Sequence, residues 1–333
     1  LTDDIRWTNL LSGKEDAMAD QHHSETVLQT VQSPSSAAIS HVAASWCRSA
    51  LHHGLDPDQL NIPERIDAPA LTALRQKHEM LLAAANPVLD QMFRSVGRSG
   101  CGVVFSDAEG TIMERRTSAG DEGDFSHIGL AEGARWSEAQ EGTNGIGTCL
   151  YEDKPVVIHR DQHFASRNIG ISCMDAPVHD PHGKLIAALD ISSCRSDHGP
   201  AMVEMIAALV RDAAQRIERD YFCRHFADNR IVLLKEDEAH GAALLATDRD
   251  DLVIGASRAA RLHLGLDDKA LSEQRPLEQI LGTGQPPSFE DGDRTVLRRA
   301  LAQAGGNASE AARLLGIGRA TLYRRMNRAG VRH

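Results

Sequence analysis

At 333 residues the chain is long enough for two or three domains of ordinary size, and a composition of 41% apolar and 25% charged residues excludes a wholly disordered protein. The net charge of −11 is unevenly held: residues 294–333 contain nine arginines and one acid, Glu310, and so carry +8 against −19 over residues 1–293. No apolar run approaches the ~18–20 residues of a membrane span, and the start lacks the basic-then-apolar pattern of a secretory signal, so a cytoplasmic protein without membrane attachment is expected.

Residues 1–35 are polar and aperiodic and read as a flexible lead-in. From 36 to 97 the apolar spacing is helical, as in Ile39, Val42, Ala43 and Trp46, then Leu71, Leu74, Leu81 and Leu82, broken by the turn-former Gly54-Leu55-Asp56-Pro57. A segment over 98–227 follows. Its strand Cys101–Phe105 meets a turn at Asp107–Gly110 and returns over Thr111–Arg116. The same grammar recurs where Cys173–His179 runs through Asp180-Pro181-His182-Gly183 into Lys184–Ile191. Between the hairpins lie Gly-rich and polar stretches that predict loops and a short helix crossing one sheet face, an arrangement able to enclose a small ligand.

After Gly199-Pro200 a helix of about 25 residues is predicted, with Val203, Ile206, Val210, Ala214 and Ile217 on one face. Part of that face is a candidate dimer seam. A small α/β unit over 228–281 has strands at Ile231–Leu234, Ala242–Ala246 and Leu252–Ile254 and a helix over Ser257–Leu264. Residues 282–293 form a Gly/Pro-rich linker.

The six cysteines lack any CxxC or paired metal spacing and read as reduced thiols. His159 and His163, and His179 with His182, have no Cys or carboxylate at spacing that completes a metal set, so neither a metal nor a cofactor is expected.

Residues 294–333 predict three helices. The first, Thr295–Ala304, presents Val296, Leu297, Ala300 and Leu301 on one face and is a second candidate dimer seam. The second starts at the N-cap Asn307, with Glu310 placed as in a capping box, and ends at Gly316. The third, Arg319–Arg328, turns Leu322, Tyr323 and Met326 to one side and Thr321, Arg324, Arg325 and Arg328 to the other. A terminal helix that is apolar on one face and basic on the other, after a short Gly-containing turn, is a helix-turn-helix pattern. Arginines fork onto guanine O6 and N7, and the remaining cations meet phosphates.

The run GGNASEAARLLGIGRATLYRRMNRAGV closely resembles the Fis-type DNA-binding domain at the C-terminus of sigma-54-dependent activators. That resemblance places Arg319, Ala320, Thr321, Arg324, Arg325 and Arg328 against double-stranded DNA. Gly318 stands where the family has Ser or Asn, which weakens the helix cap. Upstream, SHVAASWCRSALHHGLDP, EGTNGIGT, DQHF, CMDAPVHDPHGKLIAALDIS and VIGASRAARLHLGL resemble, in order, the sensory half of the acetoin catabolism and dihydroxyacetone operon regulators. The implied architecture is α+β: a GAF-type antiparallel-sheet sensor flanked by helices, a small PAS-like α/β unit and a three-helix Fis-type helix-turn-helix.

Those relatives carry a AAA+ ATPase between sensor and DNA-binding domain. Here the only Gly-Lys pairs, Gly13-Lys14 and Gly183-Lys184, have neither a glycine five residues before nor a Ser or Thr after, so no phosphate cradle is present. The expected protein is a non-enzymatic transcription regulator that acts by occupying DNA as a homodimer, with or without contact to RNA polymerase. Its small-molecule effector is expected, by resemblance, among Trp136, Asn144, Cys149, His163, Phe164, Cys173 and Asp190. Two alternatives are a GAF-type thiol enzyme akin to methionine sulfoxide reductases, against which no cysteine has an evident base beside it in sequence, and an architectural Fis-like protein indifferent to small molecules.

Overall fold

The computed structural model describes residues 22–331 apart from 34, 39, 60–61, 238 and 284–288. Chain contacts divide it into two compact units, Leu1–Gln274 and Arg275–His333.

The first unit opens on helix α1, over 22–32. This corrects the expectation of a flexible lead-in for its described part: Val27 is fully buried, and His23 and Ser24 are buried with it. Residues 1–21 and Ile39 lie outside the described residues. Helix α2, His41–Cys47, is capped by Ser40 and continues into a π-helical turn over Arg48–His52. Helices α3, Ala68–Lys77, and α4, Glu79–Val96, lead to the sheet.

Five strands, β1 Cys101–Asp107, β2 Ile112–Arg116, β3 Val156–His159, β4 Ser172–His179 and β5 Leu185–Ser193, form one sheet in the order β2-β1-β5-β4-β3. Every pairing is antiparallel. Both hairpins predicted from turn residues are present, β1–β2 and β4–β5. The period of two sorts the side chains: Val103, Phe105, Met174, Ala176, Leu189 and Ile191 pack against α4 and the long helix α8, Pro200–His225. Val104, Cys173 and Ala188 face the other way, toward Trp136, Ile146, Cys149 and Phe164. That second layer comes from the segment between β2 and β4. It contains α5, Glu122–His127, α6, Glu138–Glu141, and α7, Gly145–Glu152, the last capped by Asn144, whose Oδ1 accepts from the Gly147 amide at 2.8 Å.

A three-stranded antiparallel sheet follows in the order β6-β7-β8, with β6 Arg230–Asp237, β7 Gly241–Thr247 and β8 Val253–Ala256, then α9, Arg258–Leu264, and α10, Asp268–Ser272. Phe222 and Phe226, at the end of α8, pack on Leu244 and Ala246 of this sheet.

In the second unit, α11 spans Leu277–Ile280 and α12 spans Phe289–Gln303. Helix α12 therefore starts six residues before the predicted Thr295, inside the stretch read as linker. Arg294 explains the extension: its Nε donates to the Ala329 carbonyl at 2.8 Å and ties the start of α12 to the end of the last helix. Helices α13, Ala308–Leu314, and α14, Arg319–Arg328, complete a core of Leu297, Ala300, Leu301, Ala311, Leu322 and Met326. Among the described residues no helix is long and apolar enough to cross a membrane.

Candidate effector layer and nucleic-acid interface

The seven residues expected at an effector site lie on one side of the five-stranded sheet. Trp136, Cys149, Phe164 and Cys173 share one buried cluster. Asn144 is spent on the first turn of α7, its Nδ2 donating to the Gly142 carbonyl at 2.8 Å. His163 is completely buried. Its Nδ1 lies 2.9 Å from the Arg160 carbonyl and therefore carries the proton, which leaves Nε2, 3.4 Å from Cys173 Sγ, as the acceptor. Burial lowers His163 to about 4.

No cysteine has a base beside it in sequence, but the fold brings His163 to Cys173 from ten residues away. Burial and the nearby Asp190 and Asp175 hold the Cys173 thiol well above its ordinary range, so the partners are a neutral thiol and a neutral imidazole. An activated nucleophile needs the opposite, a thiolate beside a cation.

From Cys173 the polar chain continues to Ser192 Oγ at 3.2 Å, whose hydroxyl reaches Asp190 Oδ2 at 2.7 Å. Asp190 is the register partner of Asp175 across β4 and β5. Asp175 has no place in the sequence-based site, yet it is as buried as Asp190. Apart from the other carboxyl of the pair, neither of its oxygens, nor Oδ1 of Asp190, has a hydrogen-bond donor among the described residues. Burial pushes both carboxyls up: Asp190 rises to about 7, held back by hydrogen bonds from Ser192 and Asp175, while Asp175 is raised well above its ordinary range because the Asp190 charge and hydrogen bond add to burial. Helix α7 closes over the pair at Gly145, where even a β-carbon would collide with Asp175 Oδ2. An acid at i and i+2 of a thiol in an otherwise apolar strand, Cys173-Met174-Asp175, was the available signal.

Two further polar clusters escaped the sequence reading. Glu138, buried, accepts from Arg48 Nε at 2.7 Å and from Ser45 Oγ at 2.7 Å, which fastens α2 to the crossing segment. Helix α1 adds His23, whose Nε2 lies 3.0 Å from the His163 carbonyl. At the far end of α7, Asp153 takes a left-handed conformation, φ 50°, and its carboxylate meets His179 Nε2 at 2.7 Å and Arg258 Nη2 at 3.1 Å. His179 Nδ1 meets Glu218 of α8 at 2.6 Å. The strand irregularity at Val178/His179 re-aims this imidazole toward α8.

In the second unit, Arg319, Ala320, Arg324, Arg325 and Arg328 are exposed along one side of α14, and Thr321 is half-buried beside them. Leu322 and Met326 face the core as expected, but Tyr323 does not: it is 37% exposed, with the Arg319 guanidinium 5.7 Å from its ring centre. Position 323 lies at the edge of the helix's apolar stripe. Asn307 caps α13 as expected, accepting from the Ser309 and Glu310 amides. Glu310 does not complete a capping box. Its carboxylate pairs with Arg313, and the Asn307 amide donates to the Ala304 carbonyl. Gly318 precedes α14 without a side-chain cap. The outer face is thus a row of guanidinium groups on a helix held by its apolar face, the geometry of a groove-reading helix.

The chain thus holds an antiparallel-sheet unit with a buried polar layer and a basic helix-turn-helix, and known proteins share both parts. Residues 16–219 match the family model of the MimR N-terminal domain, and residues 288–328 match that of the Fis family of bacterial regulatory proteins. The chain belongs to the MimR N-terminal domain family.

It is 30% identical over 261 residues to the acetoin catabolism regulatory protein of Cupriavidus necator, covering 74% of this chain and 39% of that protein. It is 28% identical over 199 residues to the propane 2-monooxygenase operon transcriptional activator MimR of Mycolicibacterium smegmatis, covering 60% and 32%. The chain thus spans about two-fifths or less of the length of these relatives. In fold it is similar to a chain of the Escherichia coli DhaR(N)–DhaL complex, with a TM-score of 0.50, 17% identity, and 79% of this chain and 85% of that one covered.

Proposed function

We propose that the protein is a ligand-responsive, sequence-specific DNA-binding transcription regulator of the cytoplasm. A small metabolite is sensed between the five-stranded sheet and the segment crossing it, and α14 reads operator DNA in a homodimer. The observation that carries this reading is the presence, in one chain, of a MimR-type sensor with a buried polar layer and a Fis-type helix whose outer face is a row of arginines.

The relatives' names, an acetoin catabolism regulator and an activator of a propane monooxygenase operon, support small organic molecules as the effector class. Exposed Met205 and Leu209 on α8 support a dimer seam along that helix. With no phosphate cradle in the sequence, control operates by occupancy of DNA, with or without contact to RNA polymerase, rather than by nucleotide hydrolysis. The neutral Cys173–His163 pair speaks against a thiol enzyme.

The test is genome-wide mapping of DNA bound by the purified protein, with and without a panel of small ketones, alcohols and aromatics. The expected result is a discrete palindromic site whose occupancy changes with one compound. Diffuse binding indifferent to every compound would overturn the proposal in favour of an architectural protein.

A further inference from the structure

The Asp175–Asp190 pair is costly as it stands. Two carboxyls face each other in the middle of a sheet, both almost wholly buried; apart from a hydrogen bond between the two carboxyls themselves, three of their four oxygens find no donor in the protein among the described residues. An ion pair does not account for them: the groups that act on the pair are the two carboxyls themselves and Ser192. The fold has no evident need of them, since β4 and β5 are held by their ladder and by Met174, Ala176, Leu189 and Ile191 on the opposite face. Asn168, on the crossing segment above the same side of the sheet, is also wholly buried and leaves both its amide oxygen and its amide nitrogen unpartnered. Buried polar atoms without partners cost about 1–3 kcal/mol each and are retained where something else satisfies them.

From this geometry we infer that Asp175 and Asp190 are the polar anchor of the effector site, and that the ligand is a small, non-anionic molecule presenting adjacent O–H or N–H donors. The inference rests on the sensor reading above and specifies its chemistry. A carboxylate or phosphate ligand would bring a further negative charge to the one that the pair itself can carry, at a site with no cation at hand among the described residues, whereas a hydroxyl or ammonium group supplies what the orphaned oxygens lack. Ser192 and Cys173 extend the polar floor to one side, and Cys149 and Ile146 offer small apolar wall. Helix α7 forms the cover, because Gly145 rests directly on Asp175. A ligand that takes hold of the carboxyls therefore moves α7, and with it Asp153 and the His179, Glu218 and Arg258 contacts at the helix's other end.

Three molecules on one carbon skeleton test this: propane-1,2-diol, 1-aminopropan-2-ol and lactate, each titrated calorimetrically into the full chain and into Asp175→Asn and Asp190→Asn. Binding of the diol or the amino alcohol is expected, with lactate at least about 30-fold weaker because of like-charge repulsion. Each Asn variant should weaken the bound probe by tenfold or more. The amides keep the side-chain shape and remove a buried charge, and thermal unfolding of each variant checks that it is folded.

Repeating the titration in buffers of different ionisation enthalpy separates the two donor classes, since an ammonium group expels a proton shared by the carboxyls and a diol does not. Lactate binding as tightly as the diol, failure of both donor probes, or unchanged binding to folded Asn variants would overturn the anchor. If another compound still alters DNA occupancy, the sensor reading stands while the anchor falls; if none does, both fall.

Discussion

His163 Nε2 lies 3.4 Å from Cys173 Sγ in the interior of the first unit, and the two groups are held in their uncharged forms. Proximity of a thiol and an imidazole usually signals nucleophilic chemistry, but that chemistry depends on transferring the proton. Here burial opposes the charge on both partners, and the contact is a hydrogen bond within a packed layer.

Alkylation should therefore follow exposure. Treating the native protein with iodoacetamide at pH 8 is expected to label the exposed Cys223 first, while Cys149 and Cys173 react only after unfolding. Mass spectrometry of the labelled peptides reads the order, and early labelling of Cys173 would contradict the neutral pair.

The buried carboxyls predict a direction for stability against pH. An aspartate whose folded value is raised holds a proton that the unfolded chain gives up near ~3.9. Its contribution is therefore fully present below that value and lost as pH rises through about 7, the value for Asp190. Asp190→Asn should flatten this dependence. It should match the parent near pH 4 and exceed it at pH 8 by about 2–4 kcal/mol. Tryptophan fluorescence during urea unfolding reports this, because Trp46 and Trp136 are buried in the first unit. Equal slopes for the two proteins would refute the assignment.

Arg324→Ala with Arg325→Ala is expected to abolish site-specific DNA binding and leave the sedimentation behaviour unchanged, since both side chains are exposed and outside the apolar core of their unit. Each single change should cost roughly 5- to 150-fold if the arginine reads a base, and should lower the salt dependence if it meets a phosphate. Unchanged affinity in fluorescence anisotropy would remove α14 from the interface.

At the end of α7, His179→Ala leaves the Asp153 and Glu218 carboxylates facing each other without the imidazole between them. A loss of about 1–3 kcal/mol is expected, measured as a lower urea midpoint of the tryptophan signal. His179→Gln, which can donate to only one of the two, should fall between.

The two glycines that begin α7 and precede α14 should respond in opposite ways. Gly145→Ala forces a β-carbon into Asp175 and Cys173 and should prevent correct closure of the effector layer. Gly318→Ser meets only Thr321 Oγ1, at an ordinary contact distance of 4.0 Å, and supplies the missing cap, a gain of about a few tenths of a kcal/mol. Melting midpoints of the two variants, compared with the parent, distinguish them.

Much of this architecture could be read from punctuation in the sequence. Asp107–Gly110 and Asp180–Gly183 mark both hairpins, and Gly199-Pro200 marks the start of α8, because turn residues and helix N-termini obey local rules. What escaped is non-local. Helix α1 has few apolar residues and is held by the Trp46 and His163 regions far along the chain. The acid-rich start of α12 is a poor helix former that Arg294 secures to Ala329. Asp175 lay in plain sight in a strand, but only the β4–β5 register places Asp190 opposite it.

Helix α8 joins the two sheets of the first unit mechanically. Its 26 residues run about 39 Å without a break. Val203, Ile206 and Val210 are set in the core beneath the five-stranded sheet, and Phe222 and Phe226 are set in that of the three-stranded sheet. A rod embedded at both ends transmits angle rather than distance. A tilt of one degree about Ile206, where it crosses the large sheet, carries Phe222, about 24 Å along, by about 0.4 Å, a shift that a close-packed core feels. Rearrangements too small to change either sheet are thereby enough to reset the packing of Phe226 on Gly255.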